Sequence, residues 1–284
     1  MTGTWRVFRA ELLRLRVTRS THLAALFLLL VPAVHVAVSR LLEAAERVEL
    51  LRRGREPLGL DEGLGWAPFT EAWRIGLALA GLLILIHGAR SLAGDRDRGY
   101  LRLASTRTAS RPALVLGRAL LAPLLVVAAT LLTGLGALLP SWYWYDFGAL
   151  VEDGYTILTP EELQAELLPA VLSAMLALLA LHAAGLLVSA LSRAATLAVA
   201  VAVALFLAFD LLEPALGGAA AWVFASYSPS LIDGSAMEEL VGMANGYSDA
   251  GYPEPRMRMS LVLPVPQLLL LVGLASLVLG RRRL

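Results

Sequence analysis

The 284-residue chain contains no cysteine. Disulfides, thiol catalysis, thiolate zinc sites and cysteine-ligated iron–sulfur clusters are thereby excluded. It contains no lysine either, so all 24 basic residues are arginine. A Walker A loop needs a lysine on the β- and γ-phosphates, so the chain is not a standard P-loop ATPase. Schiff-base chemistry falls by the same absence. Charge is scarce: 17% of residues are charged, 58% are hydrophobic, and the mean hydropathy is +0.69. A soluble domain carries about 25% charged and about 45–50% apolar residues, so this composition leans to the membrane class. A net charge of only +1 excludes a generally basic nucleic-acid binder and an acidic disordered chain.

A membrane-spanning helix needs about 20 mostly apolar residues. Six stretches qualify, at about His22–Ser39, Ile75–Ala89, Leu114–Leu139, Leu167–Ala190, Ala194–Phe209 and Leu261–Leu279. The Val/Ala alternation at 198–204 has the period of a strand. An open strand cannot satisfy its backbone in lipid, so the segment reads as helix. The first apolar run is too long for the core of a signal peptide and five more follow, so it is expected to be kept. The expected fold is all-α, a single polytopic membrane domain over 1–284. Long connections at 40–74, 140–166 and 210–260 fall on one side; 91–112 and a tight turn at 191–193 fall on the other.

Finer features fit that plan. Thr159-Pro160-Glu161-Glu162 is a capping box with proline at the first helical position, and Pro169 is an expected kink. Ala194, Ala198 and Ala202 make a small-residue face suited to close helix packing. Gly217-Gly218 and Ser228-Pro229 interrupt an apolar stretch too short to cross, so short re-entrant or surface helices are expected between spans five and six.

Charge is distributed by side. The segments before span one, between spans two and three, in the 191–193 turn and at the C-terminus hold 16 arginines against the three acids Glu11, Asp95 and Asp97. The opposite side holds 8 arginines and 20 acids. The arginine-rich side is expected in the cytoplasm, with both termini, in a cytoplasmic (inner) membrane. The total of +1 therefore conceals +13 on one face and −12 on the other.

Two segments on the arginine-rich side carry more pattern than topology requires. At the N-terminus, over 1–20, Trp5, Phe8, Leu12 and Leu15 recur at helical spacing among Arg6, Arg9 and Arg16, as in a helix lying in the membrane interface. Between spans two and three, Asp95, Asp97, Gly99, Leu101 and Leu103 are followed by Arg107, Ser110-Arg111 and Leu116-Gly117. Apolar residues stand among charges there, Gly99 breaks a helix, and Pro112 starts another.

In these residues the chain resembles the membrane subunits of ATP-binding cassette (ABC) transporters of the type-2 exporter family. That family's loop after span two reads acid-x-acid-x-Gly-Thr-Leu, then Pro-x-Ser-Arg, then Leu-Gly-Lys. Asp95, Asp97, Gly99, Leu101, Ser110, Arg111, Leu116 and Gly117 match it, with Tyr100, Thr108 and Arg118 as departures. Arg9-Ala10-Glu11-Leu12 resembles the family's elbow. The resemblance implies an N-terminal elbow helix with Trp5, Phe8, Arg9, Glu11 and Leu12. It further implies a coupling element at 91–112 that docks on a separate ATPase through Asp95, Asp97, Gly99, Leu101, Leu103, Arg107, Ser110 and Arg111. The partners implied are two ATPase subunits, a second permease subunit as a homo- or heterodimer, and membrane lipids, with no nucleic acid. No cofactor or metal is expected on this chain; ATP and magnesium belong to the ATPase.

Other features carry less. His35, His87 and His182 lie at membrane depth, where ionisable residues can mark a pathway; without nearby carboxylates they read as packing residues. Asp210 and Glu213 are expected at the outer interface, and Trp142–Tyr145 with Phe147 reads as an interfacial aromatic belt. Met257-x-Met259 reads as filler. An intramembrane enzyme is the alternative, since Gly246-Tyr247-Ser248-Asp249-Ala250 nearly makes a nucleophile elbow. A non-transporting scaffold would have the same spans without the organised loop.

Overall fold

In a medium without water, each apolar run must close its own backbone hydrogen bonds, and helix is the local way to do so. The computed structural model describes residues 2–54, 64–100, 110–152, 155–230, 234–248 and 251–281. Its helices are α1 (Thr2–Val17), α2 (Arg19–Arg52), α3 (Trp66–Asp97), α4 (Arg111–Ala119), α5 (Ala122–Trp144), α6 (Pro160–Leu191), α7 (Ala195–Leu216), α8 (Ala236–Ala244), α9 (Glu254–Val262) and α10 (Pro264–Arg281). Six membrane-crossing lengths result: α2, α3, α4 with α5, α6, α7 running into a 3-10 turn, and α9 with α10.

Helices α3 and α6 form the centre. Their most apolar windows are 56% and 67% buried, against 17% for α2 and 11% for the last span. They cross at Gly88 and Gly185. A Cβ on Gly185 would lie 2.4 Å from the Leu85 carbonyl oxygen, and one on Gly88 would lie 2.6 Å from that of His182. Only glycine permits backbones this close. The expected small face of α7 is confirmed in part by Ala198 and Ala202, both fully buried in the main core. The capping box is also present: Thr159 Oγ1 accepts from the Glu162 amide at 3.3 Å, and the Thr159 amide donates to Glu162 Oε2 at 2.8 Å.

The helices outrun the apolar runs. Span one continues to Arg52 and span two begins at Trp66, so most of 40–74 is helix rather than loop. Charge pairs at helical spacing line this extension, Arg40 with Glu43 and Arg53 with Glu49, and they support helix where hydropathy does not. Helix α7 likewise runs past Asp210, which is buried within it rather than ending it at an interface.

The 140–166 connection holds an antiparallel hairpin, β1 (Leu150–Glu152) and β2 (Tyr155–Leu158), pairing Leu150 with Leu158 and Val151 with Thr156. An all-helical reading did not include it. Trp142 and Tyr143 are exposed, as a belt would be, but Tyr145 turns inward and donates to Glu43 at 3.1 Å. Burial, and then the Glu43 carboxylate, push the Tyr145 phenol up to about 12, so it remains a donor. Between spans five and six lie two 3-10 turns, Gly217–Trp222 and Phe224–Tyr227, then α8; Tyr227 and Met237 are buried there. Short elements were expected here, and 231–233 lie outside the described residues.

Candidate functional site

The candidate site is where the elbow, the end of span two and the start of span three meet. Helix α1 stops at Thr18, whose hydroxyl donates to the Arg14 carbonyl at 2.6 Å while its backbone is extended. A side chain competing for its own helix's carbonyl is a local way to break one helix from the next. The elbow lies against α4 at Gly117. A Cβ there would sit 2.6 Å from Val7 Cβ and 2.9 Å from the Thr4 carbonyl oxygen. Phe8, Leu12 and Leu15 are half-buried; Trp5 is exposed and stacks on Phe8 at 5.0 Å, and Arg9 is exposed.

That crossing brings four charges together. Arg118, only 4% exposed, donates through Nε to Glu11 Oε1 at 3.0 Å and through Nη2 to Asp95. Arg14 donates to the other Asp95 oxygen at 3.0 Å and lies 3.7 Å from Glu11. Two carboxylates thus alternate with two guanidiniums, and the cluster is neutral. A buried charge is tolerable only when paired in this way. Asp95, expected at a docking surface, faces inward instead because these two arginines hold it. Sequence reading did not assign Arg14 to the site and met Arg118 only as a departure from a pattern. The usable signal was a lone charge in an apolar run, which demands a partner.

The rest of the segment clamps α3 to its neighbours. Asp97 Oδ2 accepts from the Ala195 amide at 2.7 Å, so an anion from another helix caps the start of α7. Arg96 donates to the Ser192 carbonyl. Ser189 Oγ accepts from the amides of Leu92 and Ala93 at 3.0 and 2.8 Å. Gly99 stands just past the helix at φ +74, where glycine closes a helix end without steric cost. Exposed Ser110 precedes α4 in the N-cap position, and Arg111 donates to the Gly280 carbonyl at 2.8 Å, tying α4 to the end of α10. Leu101, Leu103 and Arg107 lie outside the described residues.

Among the described residues, nothing in this arrangement resembles a nucleophile and its base. Ser248, in the near-match to a nucleophile elbow, donates to Glu239 at 2.7 Å. His87 and His182 stack at 5.9 Å on facing helices. Among the described residues, no three His, Asp or Glu side chains group as a metal site requires. What the described residues of the site do is join helices, through ion pairs and hydrogen bonds.

A family model described as ABC-2 family transporter protein matches residues 5–233, which include the elbow, the ion cluster and five of the six spans. No curated protein matches the chain.

Proposed function

The chain belongs to the ABC-2 family of transporter proteins, and from that premise we propose that it is the permease subunit of an exporter, coupling ATP hydrolysis on a separate ATPase to movement of a substrate. The observation that carries this reading is the linkage around the connection between α3 and α4. Asp95, in the last turn of α3, and Arg118, in the last turn of α4, are bonded to each other and to Glu11 and Arg14 of the elbow. Asp97 adds α7, and Arg111 adds α10. A push on this one connection therefore reaches five helices. Rigid bodies joined by charge-assisted bonds convey displacement rather than absorb it.

On this reading two ATPase subunits, carrying ATP and magnesium, dock on the segment around Leu101, Leu103 and Arg107. A second permease copy, or a related chain, packs beside this one, and substrate passes between faces of spans one, two and five. Exposed apolar side chains along α2 and α10, such as Leu23, Phe27, Leu269 and Leu270, suit lipid and that second subunit. The arginine bias supports cytoplasmic termini in an inner membrane. The chain itself makes and breaks no covalent bond.

The test is co-expression with a cassette ATPase of the same genome, followed by purification of the complex. The expected result is an assembly whose ATP hydrolysis depends on this chain. Substituting Leu101→Asp together with Arg107→Glu should release the ATPase and leave the permease monodisperse. A chain that assembles with no ATPase, or one indifferent to those substitutions, overturns the proposal.

A further inference from the structure

A cavity of about 590 Å³ lies beside the ion cluster, between α1, α2, α3 and α5. That volume is within the roughly 300–1,000 Å³ of small-molecule sites. Its lining changes character along its length in the same direction on each helix. On α2 it passes from Thr18 and Thr21 to Ala25 and Leu28. On α3 it passes from Arg98 and Arg90 through His87 to Leu83. The third wall runs from Arg118 to Leu121, Leu125 and Leu132. Asp97 and Leu83, both in the lining, are fourteen residues apart on α3, or about 21 Å. That is about half of a whole bilayer of about 40–45 Å. The cavity is charged at one end, apolar at the other, and one leaflet long.

Two observations say what kind of molecule fits. The arginines are in excess: the lining holds Arg14, Arg90, Arg98 and Arg118 against the carboxylates Glu11 and Asp97, and Arg14 and Arg118 also share Asp95. Arg90 and Arg98 are exposed and have no carboxylate partner among the described residues. Arginine near an interface can simply reach for water, so this alone would not indicate a ligand. The second observation is independent. His182 lines the cavity, is 1% exposed, and its Nδ1 has no hydrogen-bond partner. Buried polar atoms are almost always bonded, and the cavity is where a partner for this one can be supplied.

We infer that the cavity binds an anionic amphiphile, its acidic headgroup at Arg90 and its apolar chain along α2, α3 and α5. As a binding site this stands without the transport reading; that the occupant is the cargo rests on it. The shared chemistry is one negative headgroup on one or two long chains. A bilayer phospholipid and a free single-chain amphiphile both have it.

The experiment is equilibrium binding to the purified full-length chain in nanodiscs of zwitterionic lipid. Dodecyl phosphate, dioleoylphosphatidylglycerol, dodecyltrimethylammonium and inorganic phosphate are the probes. Both anionic amphiphiles, or either one, should bind more tightly than the cationic chain or phosphate, and which one binds identifies the source. Arg90→Gln, at an exposed position that the fold does not need, should weaken binding about tenfold, as loss of one charge-assisted bond does. Ala25→Trp should abolish binding by filling the cavity, with an unchanged melting profile as the control for folding. Equal binding of dodecyltrimethylammonium, full binding of phosphate alone, or affinity unchanged in both variants overturns the inference. Since no ATPase is present, failure here leaves the transport reading intact. Loss of ATPase assembly with selective binding retained would sink only the transport reading.

Discussion

Arg118 and Asp95 stand 23 positions apart in the chain, on either side of the connection between spans two and three, and meet as a buried ion pair. Each also holds a charge of the N-terminal elbow, Arg118 through Glu11 and Asp95 through Arg14. The pair closes the base of the connection, so its ends cannot move independently.

Removing Asp95 unbalances the cluster, although Arg118 keeps its bond to Glu11. Asp95→Asn is expected to destabilise the chain by about 1–3 kcal/mol, the cost of leaving part of a buried guanidinium's hydrogen bonding unmade. Arg118→Gln paired with Asp95→Asn should cost less than the sum of the two single changes. Thermal unfolding of the purified protein in detergent measures both. An Asp95→Asn variant that melts with the parent would mean that water, rather than Arg118, satisfies the carboxylate.

The elbow's position depends on the absence of one carbon atom. A Cβ at Gly117 would press on Val7 and on the Thr4 carbonyl, and the backbone contact cannot yield as a flexible side chain can. Gly117→Ala should cost about 1–3 kcal/mol through overpacking and lift α1 from α4. The chain has no cysteine, so a single Leu12→Cys reports on this directly. Its thiol should react with a maleimide several-fold faster in the Gly117→Ala background. Equal rates would show that α1 is held by the ion cluster alone.

The centre of the bundle makes a stronger demand. At Gly185 an added Cβ would meet the Leu85 carbonyl oxygen at 2.4 Å, with the Ala89 amide nitrogen at 3.0 Å. Gly185→Ala should therefore separate α3 from α6 and lower the melting temperature more than Gly117→Ala does. Gly273→Ala, where nothing lies within 4 Å of the added carbon, is the control and should be neutral or slightly stabilising. If Gly185→Ala behaves like Gly273→Ala, α3 and α6 do not cross at this point.

The spans were legible because lipid makes hydropathy and helix nearly synonymous. Thr159 and Glu162 were legible for a different reason, since a capping box is local, complete within four residues. The elbow's helix was legible from the spacing of Phe8, Leu12 and Leu15, but the contact that seats it, Val7 on Gly117, was not. A steric fit between residues 110 apart leaves no periodic trace. Asp95 was the instructive case: its presence in the right motif was readable, and its direction was not. Whether a carboxylate faces a partner protein or an internal arginine is decided by what packs above it, here Arg14 and Arg118 from two other helices. The hairpin was missed although Asp153-Gly154, between its strands, is a turn signal. Three- and four-residue strands carry too few alternations to compete with the helical pattern around them.

The proposed orientation rests on charge and can be tested on the same cysteine-free background. Ser110 is exposed at the arginine-rich end, beside Arg111, and Tyr247 is exposed, at 87%, on the acidic side. Neither the Ser110 nor the Tyr247 side chain is needed by the core, so each accepts a cysteine without disturbing the fold. In intact cells a membrane-impermeant maleimide should label Tyr247→Cys at once and Ser110→Cys only after permeabilisation. The cause is the excess of arginine near the ends of the spans on one side, which resists translocation, while acids contribute little. Replacing Arg281, Arg282 and Arg283 by glutamine should leave that labelling unchanged, because 13 further arginines remain on the same side, most of them ahead of span three. Labelling of Ser110→Cys in intact cells would invert the assignment, and the connection proposed to receive the ATPase would then face away from ATP.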